Sequence, residues 1–71
     1  DARVHAEVIT NVLTTARNLK LYPAGLDFSP VKGPEGNIEY LVHLVCDVAR
    51  DTVDGMQVER IVEQSHAELS D

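Results

Sequence analysis

Apolar residues recur along the first part of the chain at Val4, Val8, Ile9, Val12, Leu13, Ala16 and Leu19, while Arg3, Glu7, Asn11, Thr14 and Asn18 fall largely off that stripe. These intervals predict a helix over residues 2–19 with one buried face. Leu21-Tyr22-Pro23 ends it, because proline has no N–H to donate and biases the residue before it away from helical geometry. From Ala24 to Val31 the period shortens: Leu26 and Phe28 alternate with Gly25 and Asp27, the repeat of a strand covered on one face. Pro23 and Pro30 bracket this run, and a residue that cannot donate to a ladder belongs at a sheet edge.

Lys32 to Asn37 holds two glycines and a proline and reads as a loop. Ile38 to Val48 then reads as a second strand. Ile38, Tyr40, Val42, Leu44, Cys46 and Val48 share one face, and Leu41 and Val45 make much of the other face apolar too. Such a strand is expected to be covered on both sides, as in the interior of an α/β sheet. A connection of about six residues suits a hairpin and is too short for a parallel crossover, so the two strands should be antiparallel. Asp54 as N-cap, Gln57 three residues on, and Val53 with Val58 as a hydrophobic staple announce a closing helix over residues 55–69. Its inner stripe is Val58, Ile61, Val62, Ser65 and Leu69.

The expected fold class is therefore an α+β fragment, helix, antiparallel β-hairpin, helix, in one partial domain over residues 1–71. Two helices on one face of a hairpin leave the other face bare, although the second strand asks for cover on both. A larger sheet adjoining the hairpin resolves this conflict, and an uncovered face otherwise favours association between copies. The chain enters a helical pattern directly from Asp1, which predicts a segment of a longer protein.

Composition narrows the function classes. With 44% hydrophobic and 25% charged residues the chain is neither disordered nor membranous in character, and no apolar run approaches the roughly 20 residues of a membrane span. A cytoplasmic location is expected. Twelve acidic against six basic residues give a net charge of -6, which opposes direct binding to a phosphate backbone. The single Cys46 is expected to be a buried thiol. His5, His43 and His66 are too scattered for a metal site, and His43, beside Leu41 and Val45, is expected to be packed and hydrogen-bonded.

Leu26-Asp27-Phe28-Ser29-Pro30-Val31, followed by Gly33-Pro34-Glu35-Gly36-Asn37-Ile38-Glu39-Tyr40-Leu41, resembles the C-terminal signature of the TlyA/haemolysin A family of FtsJ-like methyltransferases. The resemblance is closest over about residues 24–45. The helix starting near Arg3-Val4-His5 and the closing Ile61 to Leu69 resemble the family's last helices. It implies a Rossmann-like methyltransferase sheet ending in an antiparallel hairpin, with the final strand inward and its partner at the edge. It also implies ribose 2'-O-methylation of ribosomal RNA, S-adenosylmethionine as methyl donor in the parent protein, and a Lys-Asp-Lys-Glu set around the transferring methyl.

In that set Glu39 matches the Glu and is the candidate catalytic residue. A carboxylate there would hold a lysine in place for work on a ribose hydroxyl. Ser29, Lys32 and Asn37 are weaker candidates for substrate contact, and Asn37 and Gly36 also suit a turn. The chain offers no Gly-rich cofactor loop, no acidic ribose-binding residue and no partners for Glu39 in the set. No bound cofactor and no independent turnover are expected of it, and contact with ribosomal RNA would run through the parent protein. The competing reading is a free-standing dimerisation or protein-interaction module. Membrane lysis is disfavoured, because neither helix joins a basic face to a wide apolar one.

Overall fold

A computed structural model describes residues 1–69, and the order of elements is α1 (Ala2–Asn18), β1 (Tyr22–Phe28), β2 (Tyr40–Val45), a 3-10 turn (Val48–Arg50) and α2 (Gly55–Leu69). The fold is α+β, helix, antiparallel hairpin, helix, as the residue pattern implied.

Asp1 caps α1 by accepting the Arg3 N–H at 2.8 Å. Its other end closes without glycine. Lys20 takes the left-handed conformation at φ 63°, its N–H reaches the Arg17 carbonyl at 3.0 Å, and the Leu21 N–H reaches the Ala16 carbonyl at 2.9 Å. These two bonds make a Schellman ending, so the helix stops at Asn18, five residues before Pro23, rather than because of it. Asp54 caps α2 as expected, its carboxylate accepting the Gln57 N–H at 2.9 Å, and the staple residues Val53 and Val58 are both buried.

β1 pairs with β2 from Tyr22 opposite Val45 to Phe28 opposite Tyr40, with an irregularity between Pro23 and Gly25. The first strand is thus shifted from the expected 24–31 to 22–28, and Pro23 lies inside it. It is tolerated because Ala24 bulges out of the ladder and because the outer edge of β1 is met by the connector: the Pro23 carbonyl accepts the Thr52 N–H at 3.0 Å. In a sheet of two strands each is an edge, and the edge along β1 is the one the connector meets. The opposite edge of the sheet, along β2, has no strand partner among the described residues.

Both helices lie on one sheet face, where Ile9 and Leu13 of α1, Leu26 of β1, Val53, and Val58, Ile61 and Val62 of α2 form the core, with Phe28, Tyr40 and Val42 packed against it. The second strand is shorter than the expected 38–48. Asp47 accepts the Ala49 N–H at 3.0 Å and starts the 3-10 turn, which turns the chain out of the sheet. Cys46 and Val48 therefore lie exposed rather than inside, and the expectation of a buried thiol fails. The second face of β2 is also open. Leu41 is 57% exposed, and His43, expected to be packed, is exposed beside it.

The same opening corrects the reading of α1. Only Ile9, Leu13 and Ala16 of its apolar residues are buried, whereas Val4, Val8, Val12 and Leu19 each keep half or more of their surface. Two parallel apolar lines run along this helix and one sheet face occupies only the first. The second borders a groove beside β2, where Val8 and Val12 line the same hollow as Leu41 and Val42, and Leu19 lines the next one with Leu44.

Candidate functional site

The β1–β2 loop gathers the residues singled out from the sequence. Gly36 turns it, with φ at 80°, a conformation that glycine adopts without penalty. Its N–H donates to the Gly33 carbonyl at 2.9 Å, and the Gly33 N–H donates to the Asn37 carbonyl at 2.7 Å, so the stretch from 33 to 37 closes on itself. The Ser29 N–H then donates to the Glu39 carbonyl at 2.8 Å, adding one rung beyond the ladder at its loop end.

Glu39 consequently sits immediately before β2 rather than inside a strand that starts at Ile38. Alternation places Tyr40 toward the helices and Glu39 outward, and its side chain is exposed. Asn37 is exposed as well. The ends of these two side chains converge over Gly33: a β-carbon built there would lie 2.8 Å from Asn37 Oδ1 and 2.9 Å from Glu39 Oε2. Ser29 uses its hydroxyl locally, accepting the Val31 N–H at 3.4 Å, and Lys32 is half-buried next to Gly33. The loop thus brings Glu39 and Asn37 together, with Ser29 tied to Glu39 only through the backbone.

Two groupings escaped the sequence reading. The first joins three elements: Tyr40 Oη lies 2.7 Å from Ser65 Oγ and 3.2 Å from His5 Nδ1, and His5 Nδ1 lies 2.9 Å from His66 Nε2. Ser65 is fully buried and its hydroxyl donates to the Val62 carbonyl at 2.7 Å. One proton arrangement satisfies every contact: Tyr40 donates to Ser65, and the Nδ1–H of a neutral His5 is shared between Tyr40 Oη and the lone pair of His66 Nε2. Burial, then the nearby His66 and the N-terminal ammonium, push the His5 pKa below its ordinary value. These partners stand 25 to 61 residues apart, beyond any local pattern.

The second is a fork from Arg17 to Asp51, with Nε and Nη2 donating to the two carboxylate oxygens at 2.8 Å each and Nη2 also donating to the Val53 carbonyl at 2.7 Å. Hydrogen bonding to Arg17 holds the Asp51 carboxyl below the usual carboxylate range. The fork fastens the end of α1 to the connector before α2, far from Glu39, and is structural. Among the described residues no three His, Cys, Asp or Glu side chains are grouped so as to hold a metal ion, and no helix is long and apolar enough to cross a membrane.

No family model matches the chain. Over 76 aligned positions that take in the whole chain it is 32% identical to a protein of Bacillus subtilis (strain 168) provisionally named rRNA methyltransferase YqxC, of which it covers 26%. The crystal structure of a protein from Lactococcus lactis, provisionally described as a hemolysin, matches it with a TM-score of 0.77 at 39% identity, over 90% of this chain and 31% of that one. The chain spans about a quarter to a third of the length of these two relatives. Both similarities fit the haemolysin A family of methyltransferases that the loop resembles.

Proposed function

We propose that this chain is the C-terminal segment of an S-adenosylmethionine-dependent methyltransferase that acts on a ribose 2'-hydroxyl of ribosomal RNA, and that it closes the catalytic sheet of that enzyme without turning over substrate alone. The observation that carries the reading is the open side of β2. A strand whose outer edge has no partner among the described residues, with an exposed Leu41 and an adjoining line of Val4, Val8, Val12 and Leu19, suits a place inside a larger sheet. The remaining strands of a Rossmann-like sheet supply such cover. The similarity to longer proteins, one of them carrying an rRNA methyltransferase name, supports the same conclusion.

Within that enzyme Glu39 is the residue this chain contributes to chemistry. Ahead of β2 and outside the core, its carboxylate is placed to hold the ammonium of a lysine from the rest of the protein beside the ribose hydroxyl. Asn37 beside it, and Ser29 and Lys32 at the base of the loop, are the groups that face substrate. The methyl donor is assigned to residues outside this chain, because the sequence offers no Gly-rich cofactor loop and no acidic ribose-binding residue. A net charge of -6 likewise assigns the grip on RNA to other parts of the parent protein. Both substrates of such an enzyme are met in the cytoplasm.

The open β2 edge also favours a second reading, in which two copies of the chain pair through it and the chain serves as a dimerisation module. The experiment that separates the two is incubation of the parent protein with labelled S-adenosylmethionine and ribosomal RNA. Label recovered on a ribose 2'-oxygen is the expected result. A parent protein that methylates no RNA, together with a 71-residue chain that sediments as a stable dimer, favours the module instead.

A further inference from the structure

We infer that Gly33 is a positioning residue for Glu39, and that its lack of a side chain is what lets the carboxylate and the Asn37 amide share one place over the loop. The inference rests on the reading of Glu39 as the carboxylate of a methyl-transfer site. Of the chain's glycines only Gly36 has a positive φ, so no left-handed backbone conformation demands glycine at position 33. The space beside its Cα demands it instead. A β-carbon there would stand 2.8 Å from Asn37 Oδ1, 2.9 Å from Asn37 Nδ2 and 2.9 Å from Glu39 Oε2, well inside the roughly 3.5 Å at which a carbon and its neighbours rest.

The backbone cannot retreat from such a collision without losing the bonds that close the loop, Gly33 N–H to Asn37 carbonyl and Gly36 N–H to Gly33 carbonyl. The atoms that would be struck are the tips of flexible side chains. A methyl group at position 33 therefore leaves the fold in place and drives the Glu39 carboxylate and the Asn37 amide elsewhere. The other glycines do not act this way: nothing lies within 4 Å of a β-carbon at Gly36 or Gly55, and at Gly25 the neighbour is His43 Cβ at an ordinary 3.8 Å. Gly33 acts on chemistry only through Glu39 and Asn37.

Gly33→Ala, with Gly55→Ala as the control, tests this in two measurements. In the isotopically labelled 71-residue chain, NMR of Gly33→Ala is expected to show its largest changes at the Glu39 carboxyl carbon and the Asn37 side-chain amide, with the methyl resonances of buried Val53 and Val62 unmoved. Gly55→Ala leaves Glu39 and Asn37 where they were. In the parent protein, Gly33→Ala is expected to lower kcat/KM for methyl transfer on the order of 100-fold, the scale of a displacement of about 1 Å in a reacting group. Unmoved Glu39 and Asn37 resonances, or a parent enzyme as active as Gly55→Ala, overturn the inference. Moved resonances with full activity instead sink the reading of Glu39 as catalytic.

Discussion

Replacing Tyr40 by Phe removes one oxygen and keeps the ring, so its effect isolates the hydrogen bonds that tie β2 to both helices. Tyr40 Oη contacts Ser65 Oγ at 2.7 Å and His5 Nδ1 at 3.2 Å. A neutral hydrogen bond contributes about 0.5–1.5 kcal/mol net, so two of them put the cost of Tyr40→Phe at about 1–3 kcal/mol. A domain of this size has only about 4–10 kcal/mol in hand, and the loss should lower the thermal midpoint by about 4–8 °C for each kcal/mol. Urea unfolding followed by far-UV circular dichroism measures it. Tyr22→Phe is the control, since the Tyr22 hydroxyl has no hydrogen-bond partner among the described residues, and its cost should stay within about 0.5 kcal/mol. Ser65→Ala closes a double-mutant cycle: with both oxygens gone the combined loss should fall short of the sum by about 1 kcal/mol. Equal costs for Tyr40→Phe and Tyr22→Phe, or strict additivity in the cycle, would refute the network.

The same cluster sets a pH dependence. The His5 pKa is depressed in the folded chain, chiefly by burial, so the unfolded chain binds protons more readily between the folded value and the ordinary 6.5. Stability is therefore complete above about pH 6.5 and declines as pH falls through the folded-state value.

Three further outcomes are expected. Lys20→Gly relieves a left-handed residue at the end of α1 and should raise stability by roughly 0.5–1 kcal/mol in a urea melt, whereas no change would mean that the helix end is unstrained. Asp51→Asn should lower the thermal midpoint at pH 7, and the gap to the parent chain should close in acid: the Asp51 carboxyl is held below its usual range by Arg17, so its contribution is present above the unfolded value and lost as pH falls through the folded one. Leu41→Lys, at a position 57% exposed, should leave the melting of this chain nearly unchanged while lowering soluble expression of the parent protein, and equal parental expression would argue that this face is never covered.

Local chemistry made the elements legible. The Asp54 cap and the Val53–Val58 staple located α2 to the residue, and alternation in Leu26 and Phe28 identified β1 and its buried face. Boundaries failed where a competing local interaction intervened: the Lys20 Schellman ending carries no glycine to announce it, and Asp47 diverts the chain into a 3-10 turn before Cys46 and Val48 can join β2. The apolar stripe of α1 was read as one face because periodicity counts apolar residues and not what covers them. Of the site, the loop was legible, and so was the placing of Glu39 on the strand face opposite Ile38 and Tyr40. The convergence of Asn37 and Glu39 over Gly33 comes from the way the loop closes on itself, which residue types alone do not announce, and the contact of His5 with His66 exists only once segments 61 residues apart have been folded together.

Single-turnover methyl transfer by the parent protein carrying Glu39→Ala tests the central claim most directly. Glu39 is exposed and outside the core, so the variant should fold and melt like the parent while transfer to the ribose 2'-oxygen falls by about 100-fold or more. Transfer at the parental rate would contradict the account, leaving this chain as a cover for the sheet and nothing more.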